Sequence, residues 1–156
     1  MKDMTPDDIS GEYREHMFSY HDGTQRKVLF TNTETQLPEG RLIVSRTDLD
    51  GIITDVNHSF VEMSAYHKDE LIGQPHYILR HPDMPAAAFG DLWGTVQQRN
   101  KWYGYVKNLR KDGGFYWVYA TVIANIRNGD ITGFTSVRRR ASRTKISEAE
   151  TLYQTL

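Results

Sequence analysis

Asn108 carries an amide that both donates and accepts, and it lies in residues 102–110, a run with the composition of a β-strand. Strand alternation places Trp102, Gly104, Val106 and Asn108 on one face and Tyr103, Tyr105, Lys107 and Leu109 on the other. On a face otherwise small and apolar, a buried amide needs a hydrogen-bonding partner, and the edge of a bound ligand can be one. Upstream, Arg80, His81 and Asp83 gather around Pro82. Arg80 can pair with Asp83 or Glu70. His81 is held extended by the proline after it and fits a surface turn, while Asp83 can cap a helix beginning at Met84. Trp93 recurs with Phe89, Leu92 and Val96 at helical spacing, the pattern of a core-facing helix. Five cations, Arg138, Arg139, Arg140, Arg143 and Lys145, fall within eight residues. No interleaved aromatics or recognition motif accompany them, so they read as a solvated exit from the last strand, and no nucleic-acid partner is expected.

Other chemistries lack their residues. There is no G-x-G-x-x-G segment, P-loop or H-E-x-x-H, and no nucleophile with a matching base, so the chain is expected not to be an enzyme. With no cysteine, disulfides, thiolate nucleophiles, iron–sulfur clusters and cysteinyl photoadducts are excluded. The 156 residues make one domain the expectation, and a net charge of −1 supplies no general field for nucleic acid or anionic lipid. The longest stretch free of charge is 14 residues, 113–126, too short for a helical membrane span. The opening residues do not read as a signal peptide, and the expected location is cytoplasmic.

The elements that must position these side chains are marked by turn dipeptides. Asp50-Gly51, Asp112-Gly113-Gly114 and Asn128-Gly129 separate β-rich runs at 42–47, 52–56, 102–110, 115–126 and 131–138. This predicts five antiparallel strands joined as three hairpins. Between the second and third strands, residues 59–63, 67–72 and 86–98 favour helix, and Asn57 is placed to cap the first. The plan is α+β, with helices covering one sheet face and a cavity between the layers. In the leader, Thr5-Pro6-Asp7-Asp8 looks like a helix start, and Ile9, Tyr13, Met17 and Tyr20 form an apolar stripe. Tyr103 and Tyr105, joined by Phe115, Trp117 and Tyr119 under one choice of parity, make an outer aromatic face that needs a cover. The leader helix or a second subunit is expected to supply it. Residues 146–156 predict a short amphipathic helix whose partner is not evident.

Several segments resemble a PAS sensor domain and, more narrowly, the flavin-binding PAS domain of bacterial aerotaxis receptors. They include Ile53-Thr54-Asp55-Val56-Asn57, Glu70-Leu71-Ile72-Gly73, Arg80-His81-Pro82-Asp83-Met84-Pro85, Asn108-Leu109-Arg110-Lys111-Asp112-Gly113 and Gly133-Phe134-Thr135-Ser136-Val137-Arg138. The Arg-His-Pro-Asp-Met-Pro run is the most specific. The resemblance implies a PAS fold with a leader or cap at 1–40, the sensor domain at 41–140 and a C-terminal helix or linker at 141–156. It implies non-covalent FAD, with Arg80, His81 and Asp83 in a flavin-contacting loop and Trp93, Trp102 and Asn108 lining the pocket. FMN is a further cofactor option. The alternatives are a haem gas sensor with His81 or His58 as axial ligand, and a cofactor-free dimerisation module. A homodimer through the leader or the outer sheet face and an unidentified signalling protein are the expected partners. The resemblance ends before any transmembrane or signalling module, so the chain reads as a receptor fragment or a stand-alone sensor.

Overall fold

In the computed structural model, which describes residues 1–156, the leader forms strands instead of the expected helix. A 3-10 turn at Pro6–Asp8 is followed by β1 (Arg14–Ser19) and β2 (Gln25–Phe30), an antiparallel hairpin. Its turn is held by Asp22, whose carboxylate accepts from the Thr24 amide at 3.0 Å and hydroxyl at 2.6 Å. The stripe that suggested a helix is partly solvated, since Tyr13 and Met17 are exposed. Strand geometry instead lets Phe18, Tyr20, Val28, Leu29 and Phe30 pack together with Met4 and Leu109. That burial outweighs the weak helical preference of a short segment.

The five expected strands form. They are β3 (Ile43–Thr47), β4 (Ile53–Val56), β5 (Trp102–Leu109), β6 (Phe115–Arg127) and β7 (Asp130–Arg140), in the sheet order β4-β3-β7-β6-β5. Thus the last strand closes against the first of the five. Between β4 and β5 come α1 (His58–Ser64), α2 (Lys68–Leu71), a 3-10 turn at His76–Leu79 and α3 (Ala86–Gln97). Asn57 caps α1, its carbonyl oxygen accepting from Phe60 N at 3.0 Å, and also reaches Val44 N at 3.1 Å, tying the helix to β3. Phe60, Leu71, Leu79, Leu92 and Val96 from these elements bury the inner sheet face with Val106, Val118, Val122 and Phe134. The PAS-like α+β plan read from the sequence is therefore the observed one.

The other face is covered differently from expectation. Phe115, Trp117 and Tyr119 do face outward with Tyr105, but α4 (Arg143–Tyr153) covers them through Ile146, Ala149 and Tyr153. The Tyr153 hydroxyl donates to Tyr105 O at 2.5 Å. The partner of the C-terminal helix is thus this chain's own sheet. The leader lies elsewhere because β2 is followed by backbone bonds to the β5–β6 turn: Thr31 N to Gly113 O at 2.8 Å and Phe115 N to Thr33 O at 2.9 Å. No helix is long and apolar enough to cross a membrane.

One buried cation holds the leader on the domain. Arg26, only 3% exposed, donates to Lys2 O at 2.8 Å, Ile78 O at 3.0 Å and the Tyr66 hydroxyl at 3.0 Å. Arg26→Ala is expected to cost about 2–4 kcal/mol in urea unfolding, because it abandons three acceptors in a dry site. A loss below about 0.5 kcal/mol would show that the leader contributes little.

Candidate functional site

A cavity of about 80 Å3 lies between the inner sheet face, α3 and the turn at residues 76–80. Four of the side chains singled out in the sequence, Arg80, Trp93, Trp102 and Asn108, line it. Alternation along β5 delivers Trp102, Val106 and Asn108 to the inner face together. The Trp102 indole folds back over Gly104, where an added Cβ would sit 2.2 Å from the ring, so only glycine leaves room for it. Its Nε1 donates to Asp91 on α3 at 2.9 Å, which fixes the plane of this wall. Trp93, two residues further along α3 and facing inward, meets Phe134 edge-on at 5.1 Å and His76 at 4.8 Å.

Asn108 is 6% exposed, and its Nδ2 has no partner within the protein. The backbone of Arg80 bridges to that of Asn108, so the turn before α3 is pinned to β5 at the amide itself. Across the β5–β6 pair stands Tyr116, whose buried hydroxyl is also unpartnered and is pushed up to about 12 by burial.

Arg80 pairs with neither Asp83 nor Glu70. Its guanidinium lies between the rings of Phe18, at 4.9 Å, and Phe89, at 5.2 Å, and its one hydrogen bond is a long one from Nη2 to Met84 O at 3.5 Å. Glu70 accepts from Lys111 at 2.8 Å, and Asp83 from Lys107 at 2.7 Å. Asp83 does not cap the helix either. Pro85 disfavours helical geometry at Met84, so α3 starts at Ala86 with Pro85 at the cap position and no side-chain cap.

His81 and Asp83 lie outside the cavity lining. His81 is 1% exposed, but its ring sits between Phe30 of the leader and Phe115 of β6. Its Nδ1 accepts from Asp83 N at 3.0 Å, and burial, reinforced by Lys107, holds its pKa well below that of a free imidazole. His58, the other proposed haem ligand, is exposed on α1 beside Glu62. Neither imidazole faces the cavity, so haem ligation through them has no geometry here.

Two cavity residues escaped the sequence reading. Arg138, assigned to a solvated exit, points inward: its Nη2 donates to Ser45 Oγ at 3.0 Å, its guanidinium lies 5.2 Å over Phe60, and its buried Nη1 has no partner. Counting alternate residues along β7 from Phe134 through Ser136 puts Arg138 on the core face, a signal that the run of cations masked. His76 is the second. A Cβ on Gly51, at φ +78°, would come within 2.8 Å of its ring, so the β3–β4 turn leaves room for the imidazole.

Burial, assisted by the charge of Arg138, lowers the His76 pKa from 6.5 to about 4. No Asp or Glu lines the cavity. Two guanidinium groups and an unpaired amide among aromatic walls therefore suit a flat ligand whose edge is rich in acceptors or carries negative charge.

The description PAS fold belongs to the family model that matches residues 53–138, just over half the chain. The chain is 45% identical over 126 residues to the aerotaxis receptor of Escherichia coli, covering 81% of this chain and 25% of the receptor. It thus spans about a quarter of that relative. Among solved structures, the PAS domain of a Colwellia psychrerythraea protein superposes with a TM-score of 0.60 at 26% identity, covering 65% of this chain and 87% of that one. The light-state LOV domain of the blue-light photoreceptor Aureochrome1 gives 0.63 at 17% identity, covering 76% and 93%, a likeness of fold.

Between pH 4 and 6.5 the unfolded chain takes up a proton that folded His76 refuses, so stability falls as pH falls through that window and is level above it. His81 contributes with the same sign. His76→Asn is expected to reduce the slope of stability against pH in that range by about half, since one of two like contributions is removed. Urea unfolding at stepped pH measures it, and an unchanged slope would assign the titration elsewhere.

Proposed function

We propose that this chain, which belongs to the PAS fold family, is a sensor module that holds a flavin, FAD by preference, in the cavity under α3 and reports its redox state to a signalling partner. The observation that carries this reading is the convergence of unpaired Asn108 Nδ2 and Arg138 Nη1 with aromatic walls on a cavity that no carboxylate lines. Identity to an aerotaxis receptor supports the sensing role.

The donor set matches a flavin edge, whose carbonyl oxygens and ring nitrogens accept hydrogen bonds. Size sets a condition. A volume of about 80 Å3 is smaller than a three-ring heterocycle, so binding requires the Trp93 and Phe89 wall to move toward the groove outside it. A bound flavin would supply two-electron redox chemistry, with a change of charge and protonation along its polar edge. Asn108 would answer by turning its amide, and Arg138 by holding the added negative charge. From Arg138 the chain runs through Arg139 and Arg140 to α4, so a shift of that guanidinium reaches the helix on the opposite face within one strand.

The module binds and signals without turnover, in the cytoplasm. If it pairs with a second copy through the outer sheet face, the strip left open by α4, with Tyr103 at 54% exposure and Ile123 beside it, is the surface available.

Freshly purified protein is expected to show the near-ultraviolet and blue absorption bands of a flavin. A sharp Soret band would replace this reading with haem, and a colourless chain that FAD does not reconstitute would overturn it. Asn108→Ala and Trp102→Ala should each weaken flavin retention about tenfold with the circular dichroism spectrum preserved. Unchanged binding in both would remove the ligand from this cavity.

A further inference from the structure

The two sheets have outer edges on β4, β5, β2 and β1, and all but the last are met by another segment. Beside β4, Ile53 N donates to Gln74 O and Gly73 N to Ile53 O, both at 2.9 Å. Beside β5 come the Arg80–Asn108 bridge and the Tyr153 hydroxyl on Tyr105 O. The outer side of β2 is met by the first residues of the chain. Met4 N donates to Lys27 O at 3.0 Å, Asp3 accepts from Lys27 N at 2.9 Å, and Met4 Sδ accepts from Leu29 N at 3.5 Å. The outer side of β1 has no such cover.

The phase of the hairpin decides which of its groups are left over. Tyr20 N donates to Thr24 O at 2.9 Å, so those two residues form a bonded pair. Alternation then makes Phe18–Arg26, His16–Val28 and Arg14–Phe30 bonded pairs as well. The N–H and C=O groups of Glu15, Met17 and Ser19 therefore point away from β2, and no other backbone group meets them. Bare edges of this kind are templates for strand addition, and proteins blunt them with proline, lysine or a bulge. β1 has no proline or lysine, and its register with β2 is unbroken. Its one arginine, Arg14, is turned back onto Phe30 and Asn32. Every residue of β1 except Phe18 is exposed, Met17 at 52%.

We propose that β1 is a self-recognition edge: two copies of this chain pair β1 against β1 in antiparallel fashion, joining their leader hairpins into one continuous sheet with Met17 on the two-fold axis. The occupant follows from self-complementarity. With Met17 facing Met17 of a second copy, the exposed apolar side chains meet each other. Glu15 then faces Ser19, whose hydroxyl can donate to the carboxylate, and Arg14 faces Tyr20. An axis at Glu15 would oppose two carboxylates, and an axis at His16 would oppose two imidazoles, so the pairing at Met17 is the register without a like pair at its centre. The contact is one short strand, which makes the association weak and concentration-dependent. Arg26 fixes each hairpin to Ile78, in the turn that walls the cavity, so paired leaders connect the cavity walls of the two copies. None of this requires a bound ligand.

The test uses the full chain, followed by sedimentation velocity from the micromolar to the millimolar range, where a monomer–dimer equilibrium is expected. Met17→Pro removes an N–H that the hairpin does not use, so it should leave the urea midpoint in place and weaken dimerisation about tenfold or more. Met17→Lys, at the same exposed position, sets like charges on the axis and should weaken it similarly. Because the chain has no cysteine, single substitutions also read the register. Oxidation of Met17→Cys should give a disulfide-linked dimer, since residues paired on the axis have Cα atoms about 5.5 Å apart. Glu15→Cys should not, being about 14 Å from its own copy in this register. A chain that stays monomeric across the range overturns the proposal. So does a dimer that both Met17 variants leave intact, and so does cross-linking by Tyr103→Cys in place of Met17→Cys, which would move the contact to the outer sheet face.

Discussion

A guanidinium buried on the inner face of a sheet is the constraint around which this molecule is arranged. Arg138 occupies the central strand β7, between β3 and β6. Taking such a charge out of water costs several kcal/mol unless donors and faces are satisfied. One side of the group is met by Ser45 on β3 and the ring of Phe60 on α1, while Nη1 meets nothing. Arg138 lines the cavity left between the layers, and its free N–H belongs to that wall. The same charge helps keep His76 neutral, which leaves that imidazole able to pack edge-on against Trp93.

Both faces of the sheet have to be covered, and the chain does so with its middle and its C-terminal segment. The helices between β4 and β5 bury the inner face, and α4 returns over the outer aromatics. The leader hairpin does neither. It packs against the end of the sheet and against the 76–80 turn, through Leu109, Tyr77 and the Arg26 bond to Ile78 O, while a second Arg26 bond reaches the Tyr66 hydroxyl. The turn is thereby clamped between the hairpin on one side and Asn108 of β5 on the other. A site wall held by two different elements can respond to changes in either, which gives leader and cavity a physical link.

Much of this is legible in the sequence alone. Glycines at positive φ in Asp50-Gly51, Asp112-Gly113 and Asn128-Gly129 are local requirements, and they marked the hairpins of the five-stranded sheet. Asn57 as a helix cap and the inward face of β5 followed from local rules as well. The leader was misread because Ile9, Tyr13, Met17 and Tyr20 satisfy helical spacing while Phe18, Tyr20, Val28, Leu29 and Phe30 satisfy strand packing. Leu109, distant in the chain, joins Met4 in packing against the strand arrangement and decides between them. Asp83 fails as the helix cap for a related reason: its carboxylate is drawn to Lys107, on a strand 24 residues away.

The sequence by itself determined the hairpins of the five-stranded sheet, the α+β plan and the inward side chains of β5, since turn chemistry and period-two alternation act over a few residues. Tertiary structure decided which charges turn inward and which segments serve as covers. Arg138 and Arg140 have the same chemistry and the same strand parity, yet the first is drawn over Phe60 and Ser45 while the second, past the edge of the helical layer, stays exposed. That difference is made by the elements packed against the strand, and no window of sequence around it contains them.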